Sequence, residues 1–370
     1  MRRWIASLAA VAALGARAAG GGAAQTPAPA AGDAAAARPS FAEFLEGVRE
    51  EALARGIRAD VVEAALAQVP EPLPIVIERD RTQAETILPL ERYLARRLDP
   101  ATIKAGRTAA VRERALLNQV SRQYGVPPPI LVAVWGMESN FGRFSGVRPT
   151  IAALATLAWD TRRPAMFRSE LFAALEILQD GDVELSRMRG SWAGAMGQVQ
   201  FMPSSYLKFA EDFDGDGRRD IWSSLSDVFA SIANYLRSKG WAAGEGWGRE
   251  VHIADPAAAR IQATVARRAG GCQATRDMTV PLPAVEWRRL GVELPDGRPL
   301  PAGTPDAALV SGASRHFLVY RNYDALLEYN CAHSYAIAVG LLADRIGGGG
   351  AFPRARVKRA VPRARRSRRR

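Results

Sequence analysis

The sequence predicts a mainly α protein of the α+β class, with a small β subdomain inserted late in the chain. Apolar residues recur at helical spacing from residue 40 onward, and one helical run is predicted from Ser40 to Val69 with Ser40 as its N-cap. Between residues 244 and 320, glycine, proline and short Val/Ile/Leu pieces replace that spacing, which is typical of turns and short strands. Helical spacing then returns before a run of four glycines ends it.

These changes of composition divide the chain into domains. We place one folded region at residues 40–345 and expect four parts within it. They are a helical flanking part, a helical core, the β subdomain and a helical return, at 40–126, 127–243, 244–320 and 321–345.

Both ends of the chain lie outside this folded region. Residues 1–24 resemble a cleaved signal peptide, because Arg2 and Arg3 precede an apolar stretch that is too short to cross a membrane comfortably. An Ala/Pro-rich flexible leader follows at 25–39, and a disordered basic tail is predicted at 346–370. No cysteine near the N-terminus is available for a lipid anchor, so we expect export as a soluble protein.

The net charge of +12 is concentrated in the tail. Residues 351–370 carry nine arginines, one lysine and no acid, so they supply ten of the twelve excess charges. Specific nucleic-acid binding by the whole protein therefore loses its main support. The tail could contact anionic surfaces, or it could be a solvated appendage, and we expect a monomer.

The chain has two cysteines, Cys272 and Cys331. In an oxidising compartment they could form one disulfide, which the loop-entropy model values at roughly 4 kcal/mol, or they could be two free buried thiols. Export favours the disulfide. Neither cysteine nor any of the three histidines has the spacing of a zinc site.

A single acid, Glu138, is the strongest candidate for catalysis. Eight nearly unbroken apolar residues from Ile130 precede it, and polar residues and a glycine follow it at once. An acid near the end of a buried helix is partly desolvated, which raises its pKa and suits it to act as a general acid near neutral pH. The alternative is an ordinary helix-terminal glutamate that reaches solvent.

A glycine-rich segment at 190–206 offers a second set of candidate residues. It combines flat apolar side chains with the polar groups of Ser191, Gln198 and Gln200. Flat faces and hydrogen-bonding groups suit a sugar polymer, whereas a tight packing joint between helices is the alternative.

The segment Asp212-Phe-Asp-Gly-Asp-Gly217 matches the first half of a calcium loop. Oxygen ligands are expected from the side chains of Asp212, Asp214 and Asp216 and from Arg218 at the backbone-carbonyl position. Position 12 is a serine, so the closing acid is expected from Asp227, or less favourably from Asp220. A metal-free surface turn is the alternative.

No second catalytic carboxylate is predicted. The other acids near Glu138 in sequence lie in mixed-charge surroundings typical of solvated helix faces: Glu170, Glu176, Asp180, Asp182 and Glu184. Because most glycosidases use two carboxylates, a mechanism with one carboxylate is the consistent option.

Several of these segments together resemble the soluble-lytic-transglycosylase B (MltB) family of peptidoglycan enzymes. The resemblance covers roughly residues 40 to 345 and rests on five segments. They are Glu138-Ser-Asn-Phe-Gly142, Gly194-Ala-Met-Gly197, Gln200-Phe-Met-Pro-Ser-Ser-Tyr206, 212–217 and Ala233-Asn-Tyr235.

The resemblance implies a lysozyme-like helical catalytic core and a periplasmic enzyme that acts on peptidoglycan glycan strands. The expected reaction cleaves the MurNAc–GlcNAc β-1,4 bond without water and leaves 1,6-anhydro-MurNAc. Glu138 would first act as the acid and then as the base that activates the MurNAc C6 hydroxyl. No cofactor is required for this chemistry, and Ca²⁺ would be structural.

The resemblance also implies roles for individual residues. The side chains expected to contact substrate are Ser191, Gln200, Arg162, Arg163, Tyr93, Tyr235, Tyr329 and Tyr335. The chain departs from the family at Gln198, where some members carry an aromatic residue, and in its basic tail. Two rival functions stay open at this stage, namely a hydrolytic muramidase and a non-catalytic peptidoglycan-binding protein.

Overall fold

The computed structural model describes residues 38–83 and 88–348. The predicted signal peptide and nearly all of the predicted leader and basic tail lie outside these residues. Sixteen helices and six strands are formed within the described ranges. The helices are α1 Phe41–Ala54, α2 Ala59–Leu66, α3 Pro74–Gln83, α4 Leu90–Arg97, α5 Pro100–Arg112, α6 Arg114–Tyr124, α7 Pro128–Ser139, α8 Thr150–Trp159, α9 Pro164–Asp180, α10 Pro203–Phe209, α11 Leu225–Ser238, α12 Asp255–Thr264, α13 Gln273–Asp277, α14 Ala284–Arg289, α15 Arg321–Tyr329 and α16 His333–Ile346. The strands are β1 Arg148–Pro149, β2 Arg189–Gly190, β3 Gly248–Ile253, β4 Val292–Glu293, β5 Ala308–Ser311 and β6 His316–Val319.

The first predicted helical run is two helices. Ser40 is the N-cap of α1 as expected, and it forms a capping box with Glu43. The run ends early because Gly56 adopts a φ of +83°, which lets its amide and that of Ile57 bond back to Leu53 and Ala52. This is a Schellman C-cap, and it turns the chain into α2.

The main hydrophobic core surrounds helix α7. Every residue from Ile130 to Ser139 is buried, and α7 packs against α5, α6, α11 and α16. A helix that is apolar on all sides belongs inside a protein, which agrees with the unbroken apolar sequence before Glu138. The core extends through the packed pair α8 and α9 to α1 and α2.

A second, smaller core lies under a four-stranded antiparallel sheet of order β4-β3-β6-β5. Trp287 is fully buried there, and its indole N–H donates to the carbonyl of Ala307 at 2.9 Å. The turn-rich segment also forms the short helices α12, α13 and α14, which its composition did not predict. The mainly α fold class is confirmed.

No helix within the two described ranges combines the length and the hydropathy that crossing a membrane requires.

Candidate active site

Helix α7 places the Glu138 side chain at its C-terminal end. Pro128 occupies the first turn, where a missing amide N–H costs nothing, and the helix stops at Asn140 and Phe141, whose φ angles are 52° and 59°. The Phe141 ring folds back over Gly136, where any Cβ would lie 2.5 Å from a ring carbon. Glu138 is the single acid of this buried helix and lies next to its last residue, with 8% of its surface exposed.

Burial raises the pKa of Glu138 to about 7, against the influence of the Tyr335 hydroxyl and the Arg97 guanidinium, which lower it. The C-terminal end of a helix also carries partial negative charge, which disfavours a carboxylate there. A carboxyl group with this pKa is protonated in a large fraction of molecules near neutral pH. It can therefore donate a proton and take one back.

Arg97, at the end of α4, is a residue of this site that the sequence did not reveal. One of its terminal nitrogens donates to the carbonyl of Met137, the residue before Glu138, at 2.6 Å. Arg97 also lies four residues after Tyr93, and its guanidinium is 6.0 Å from the centre of the Tyr93 ring. Residues four apart share a helix face. The spacing of Tyr93 and Arg97 was therefore the one feature of the sequence that could have placed Arg97 near this site.

A row of aromatic rings leads away from Glu138. Tyr335 and Tyr329 are stacked with centroids 6.4 Å apart, and Tyr329 meets Tyr235 at 4.8 Å. Phe201, from the glycine-rich segment, contacts both Tyr235 and Tyr329. Burial, and after it the charge of Glu138, raise the pKa of Tyr335 and Tyr329 well above the ordinary value, so both hydroxyls stay neutral.

The four predicted tyrosines come from four different helices. Tyr93 lies on α4, Tyr235 on α11, Tyr329 on α15 and Tyr335 on α16. The Tyr335 hydroxyl is buried and interacts with the Glu138 carboxyl, whose pKa it lowers. The Tyr329 hydroxyl donates to the carbonyl of Val199 at 2.8 Å, and that of Tyr235 donates to the carbonyl of Glu328 at 2.6 Å. The structure thus brings three of these tyrosines into contact as a group.

The glycine-rich segment is a tight loop held by its own polar side chains. The Ser191 hydroxyl accepts from the amides of Ala193 and Ala195 at 3.3 and 3.1 Å. Gln200 adopts a φ of +53°, and its side-chain amide donates to the carbonyl of Gly197 at 2.8 Å. The Ser191 side chain is itself buried, with 4% of its surface exposed. Contact with substrate stays a prediction for both residues.

Gln198, one of the polar groups of the glycine-rich segment, is hydrogen-bonded inside the protein. Its carbonyl oxygen accepts from the Trp135 indole N–H at 2.7 Å, and its amide donates to the carbonyl of Trp222 at 2.8 Å. Gln198 is buried, so it ties α7, the glycine-rich loop and the segment before α11 together.

The predicted arginine pair is held by a buried acid on α3. Arg162 and Arg163 both form ion pairs with Asp80, whose side chain is 1% exposed. Arg162 is bonded at 3.0 Å and keeps 41% of its side chain exposed. A role for this pair toward the anionic part of a glycan stays a prediction.

Three of the predicted metal ligands converge. The carboxylates of Asp212, Asp214 and Asp227 offer oxygens that all lie within 4.8 Å of one another. Asp227 is fully buried, and burial, together with the charges of Asp214 and Asp212, raises its pKa to about 6. Holding three carboxylates this close together costs electrostatic free energy, and a bound cation would offset that cost. An all-oxygen donor set of this kind fits Ca²⁺.

The remaining positions of the predicted calcium loop behave differently. Asp216 is not part of the three-carboxylate group, and its side chain accepts from the amide of Arg218 at 2.9 Å. Asp220 is occupied by Trp222 and Ser223, whose amides both donate to it at 2.9 Å. Asp227, which the sequence favoured over Asp220, is the acid that belongs to the three-carboxylate group. Ligation through Asp216 and the Arg218 carbonyl stays a prediction.

Three of the five other acids singled out from the sequence have structural partners. Glu170 accepts from both the amide and the hydroxyl of Ser204 at the start of α10. Asp180 and Asp182 form ion pairs with Arg219. No carboxylate is among the groups that set the pKa of Glu138 within the described chain. This arrangement supports a mechanism with one carboxyl group.

Cys272 and Cys331 are joined in a disulfide, with their Cα atoms 6.3 Å apart. Cys331 lies in the short connection between α15 and α16, two residues after Tyr329 and four before Tyr335. The disulfide therefore links the segment before α13 to the connection between α15 and α16, the two helices that carry Tyr329 and Tyr335.

A buried carboxyl with a raised pKa lies at the end of a core helix beside a row of aromatic rings, which makes it the candidate acid–base group of a lysozyme-like helical fold. A family model described as the transglycosylase SLT domain matches residues 40–344. The chain belongs to this transglycosylase family. The resemblance inferred from the sequence is thereby confirmed.

Similar proteins agree with this assignment. SltB3 from Pseudomonas aeruginosa, solved in complex with NAG-anhNAM-pentapeptide, is 43% identical with a TM-score of 0.76, covering 85% of this chain and 82% of that chain. The Escherichia coli lytic transglycosylase Slt35, solved with calcium, is 26% identical with a TM-score of 0.67, covering 84% and 94%. The membrane-bound lytic murein transglycosylase B of E. coli K12 is 38% identical over 155 residues, which is 42% of this chain and 43% of that protein.

Proposed function

We propose that this protein is a peptidoglycan lytic transglycosylase, which cleaves the MurNAc–GlcNAc β-1,4 bond and forms 1,6-anhydro-MurNAc. The observation that carries the proposal is the single carboxyl Glu138, whose pKa burial raises to about 7 without a second carboxylate among the groups that set it. The relatives support the same substrate, since SltB3 was solved with glycan–peptide fragments, one of which contains an anhydro sugar.

In the first step Glu138 acts as a general acid. Its O–H bond breaks as the proton moves to the glycosidic oxygen, and the bond from that oxygen to the MurNAc anomeric carbon breaks with it. The GlcNAc side leaves with a free hydroxyl, positive charge develops on the MurNAc ring, and Glu138 becomes a carboxylate. The neighbouring tyrosine rings, of which Tyr235 and Tyr335 are buried, make the surroundings of the reacting bond apolar and help to exclude water from it.

In the second step the same carboxylate acts as a base. It takes the proton of the MurNAc C6 hydroxyl, whose oxygen forms a bond to the anomeric carbon and closes the anhydro ring. Glu138 is then protonated again, so no net proton is consumed. A carboxyl with a pKa near neutral serves both steps, because neither of its protonation states is strongly favoured.

Digestion of purified sacculi with wild type, Glu138→Gln and Glu50→Gln tests this proposal. Glu50 is an exposed glutamate on α1, so its variant is a matched control for the loss of one charge. Mass spectrometry is expected to find anhydro-muropeptides for wild type and the control and almost none for Glu138→Gln, which should still bind glycan. Products with a reducing-end MurNAc would identify a hydrolytic muramidase instead, and binding without any product from wild type would identify a binding protein.

We further propose that the cluster Asp212, Asp214 and Asp227 holds a structural Ca²⁺ and that the protein works in the periplasm. The fully buried Asp227 and the two aspartates within reach of it support the metal site, as does the calcium complex of the Slt35 relative. The ion would neutralise the three carboxylates and fix the loop before α11, and it has no part in the chemistry at Glu138. The Cys272–Cys331 disulfide and the apolar N-terminal segment support export to an oxidising compartment.

A further inference from the structure

We propose that Arg97 is a positioning residue that caps the helix carrying Glu138 and stabilises the carboxylate formed when Glu138 gives up its proton. The inference deepens the proposed transglycosylase function and rests on it. Three structural observations carry it, namely the position of the Arg97 hydrogen bond, the anchoring of α4, and the small set of groups that face Glu138.

The hydrogen bond from Arg97 ends on a carbonyl that needs a partner. The last four carbonyls of a helix lack an intrahelical donor, and Met137 is within the last turn of α7. Backbone amides of the following turn satisfy Gly136 and Ser139, whereas Arg97 donates to Met137 at 2.6 Å. A cation at this point also opposes the negative end of the helix, next to the residue that must become an anion.

Helix α4 is fixed at both ends, so Arg97 is held in place. At its start, the Glu91 carboxylate accepts from the amide of Ser314 at 2.9 Å in the turn between β5 and β6. Just beyond its end, the carbonyl of Leu98 accepts from Arg345 on α16 at 3.3 Å. The Tyr93 ring lies against the Arg97 guanidinium on the same face. A side chain anchored in this way keeps its charge at a fixed place relative to α7.

Few titratable groups face Glu138 within the described chain. Tyr335 from α16 and Arg97 from α4 act on it directly, and Tyr329 from α15 responds to its charge. Tyr93 from α4 acts on Tyr335 in turn, and Tyr235 from α11 acts on Tyr329. Arg97 is the one positively charged side chain among the groups that act on Glu138 within the described chain. Its buried Nε has no hydrogen-bond partner within the described residues, so the guanidinium is incompletely hydrogen-bonded.

Arg97 favours the first half of the reaction. The positive charge stabilises the Glu138 carboxylate, so it makes proton donation to the glycosidic oxygen easier and also limits the rise in pKa that burial causes. Activity then falls at alkaline pH as free Glu138 loses its proton. Removing the charge should move this alkaline limb to higher pH and reduce the rate where Glu138 is fully protonated.

Three substitutions separate the charge from the hydrogen bond. Arg97→Lys keeps the charge, Arg97→Gln keeps a neutral donor for the Met137 carbonyl, and Arg97→Met keeps neither. Arg96→Gln is the matched control, because Arg96 is the exposed neighbour on the same helix. Each variant is compared with wild type by its melting temperature and by the pH profile of kcat/KM on soluble glycan strands.

The alkaline limb is expected to move up by about half a pH unit or more in Arg97→Gln and Arg97→Met, and to stay in place in Arg97→Lys and Arg96→Gln. An alkaline limb in Arg97→Gln that coincides with wild type, in a variant of normal melting temperature, would overturn the proposal. A purely structural role predicts the same loss of stability and rate at every pH, without movement of the limb.

A second readout does not depend on turnover. In protein labelled with ¹³C at the glutamate carboxyls, the Glu138 signal is identified by its loss in Glu138→Gln, and its titration is followed in wild type and Arg97→Gln. A higher midpoint in Arg97→Gln supports the proposal, and an unchanged midpoint rejects it. If wild type gives no anhydro product, the proposed function fails, while this titration still decides the role of Arg97.

Discussion

Replacing Glu138 by glutamine should stabilise the protein at alkaline pH while it abolishes activity. Glutamine has nearly the same shape and cannot ionise, so the change isolates the charge. The pKa of the Glu138 carboxyl is about 7 in the folded protein against 4.5 for an unperturbed glutamate, with burial as the main cause. The folded state therefore binds this proton more tightly than the unfolded state does.

The sign and the size of the effect follow from this difference. The contribution of the protonated group to stability is fully present below pH 4.5 and is lost as the pH rises through about 7. A difference of about 2.5 pH units at 1.36 kcal/mol each gives about 3 kcal/mol of destabilisation by ionised Glu138 above that pH. At about 2 °C per kcal/mol for a folded region of this size, the gain in melting temperature is several degrees.

Differential scanning calorimetry of wild type, Glu138→Gln and Glu50→Gln at about pH 5 and about pH 8.5 measures this. The melting temperature of Glu138→Gln should exceed that of wild type clearly at the higher pH and only slightly at the lower one. Glu50→Gln should follow wild type at both, since Glu50 is exposed. An equal difference between Glu138→Gln and wild type at the two pH values would refute the claim that burial raises the pKa of Glu138.

The metal cluster, the disulfide and Gln198 give three more predictions. Millimolar Ca²⁺ should raise the melting temperature of wild type but not of Asp227→Asn, as followed by scanning fluorimetry, with Mg²⁺ as the control cation; an equal Ca²⁺ response in both proteins would contradict the metal site. The double replacement of Cys272 and Cys331 by serine should cost about 4 kcal/mol of unfolding free energy in urea titrations, and dithiothreitol should then have no further effect. Gln198→Leu should cost about 2 kcal/mol or more, because it leaves the Trp135 indole N–H unpaired in the core, whereas Gln68→Leu at an exposed site should cost almost nothing.

The part of the site that could be predicted from sequence is the part that is local. Glu138 stands at the end of an unbroken apolar run, and such a run predicts a buried helix whether or not its neighbours are known. The spacing of Asp212 and Asp214 likewise defines one turn of chain. Even Asp227, thirteen residues further on, lies within reach because α11 begins directly after the loop.

What the sequence did not show depends on contacts between distant segments. Arg97 bonds to a backbone carbonyl forty residues away, and a carbonyl leaves no mark on the sequence. Gln198 could not be distinguished from a substrate-binding glutamine, because its burial depends on where Trp135 and Trp222 lie. The end of α1 at Ala54 was not predicted, because a glycine such as Gly56 within an apolar pattern is also compatible with a continuing helix.

The two duties proposed for Glu138 would require mixed surroundings. Burial and the end of α7 alone would favour the protonated form so strongly that the carboxyl would donate its proton poorly. A fully charged, solvated pocket would instead leave a carboxylate with no proton to give. Arg97 and the Tyr335 hydroxyl oppose burial, so the pKa of the carboxyl comes to lie near 7. Because α4 and α16 supply these two groups and α7 supplies the acid, the balance exists only once the helices have packed together, and a single carboxyl can then serve as both acid and base.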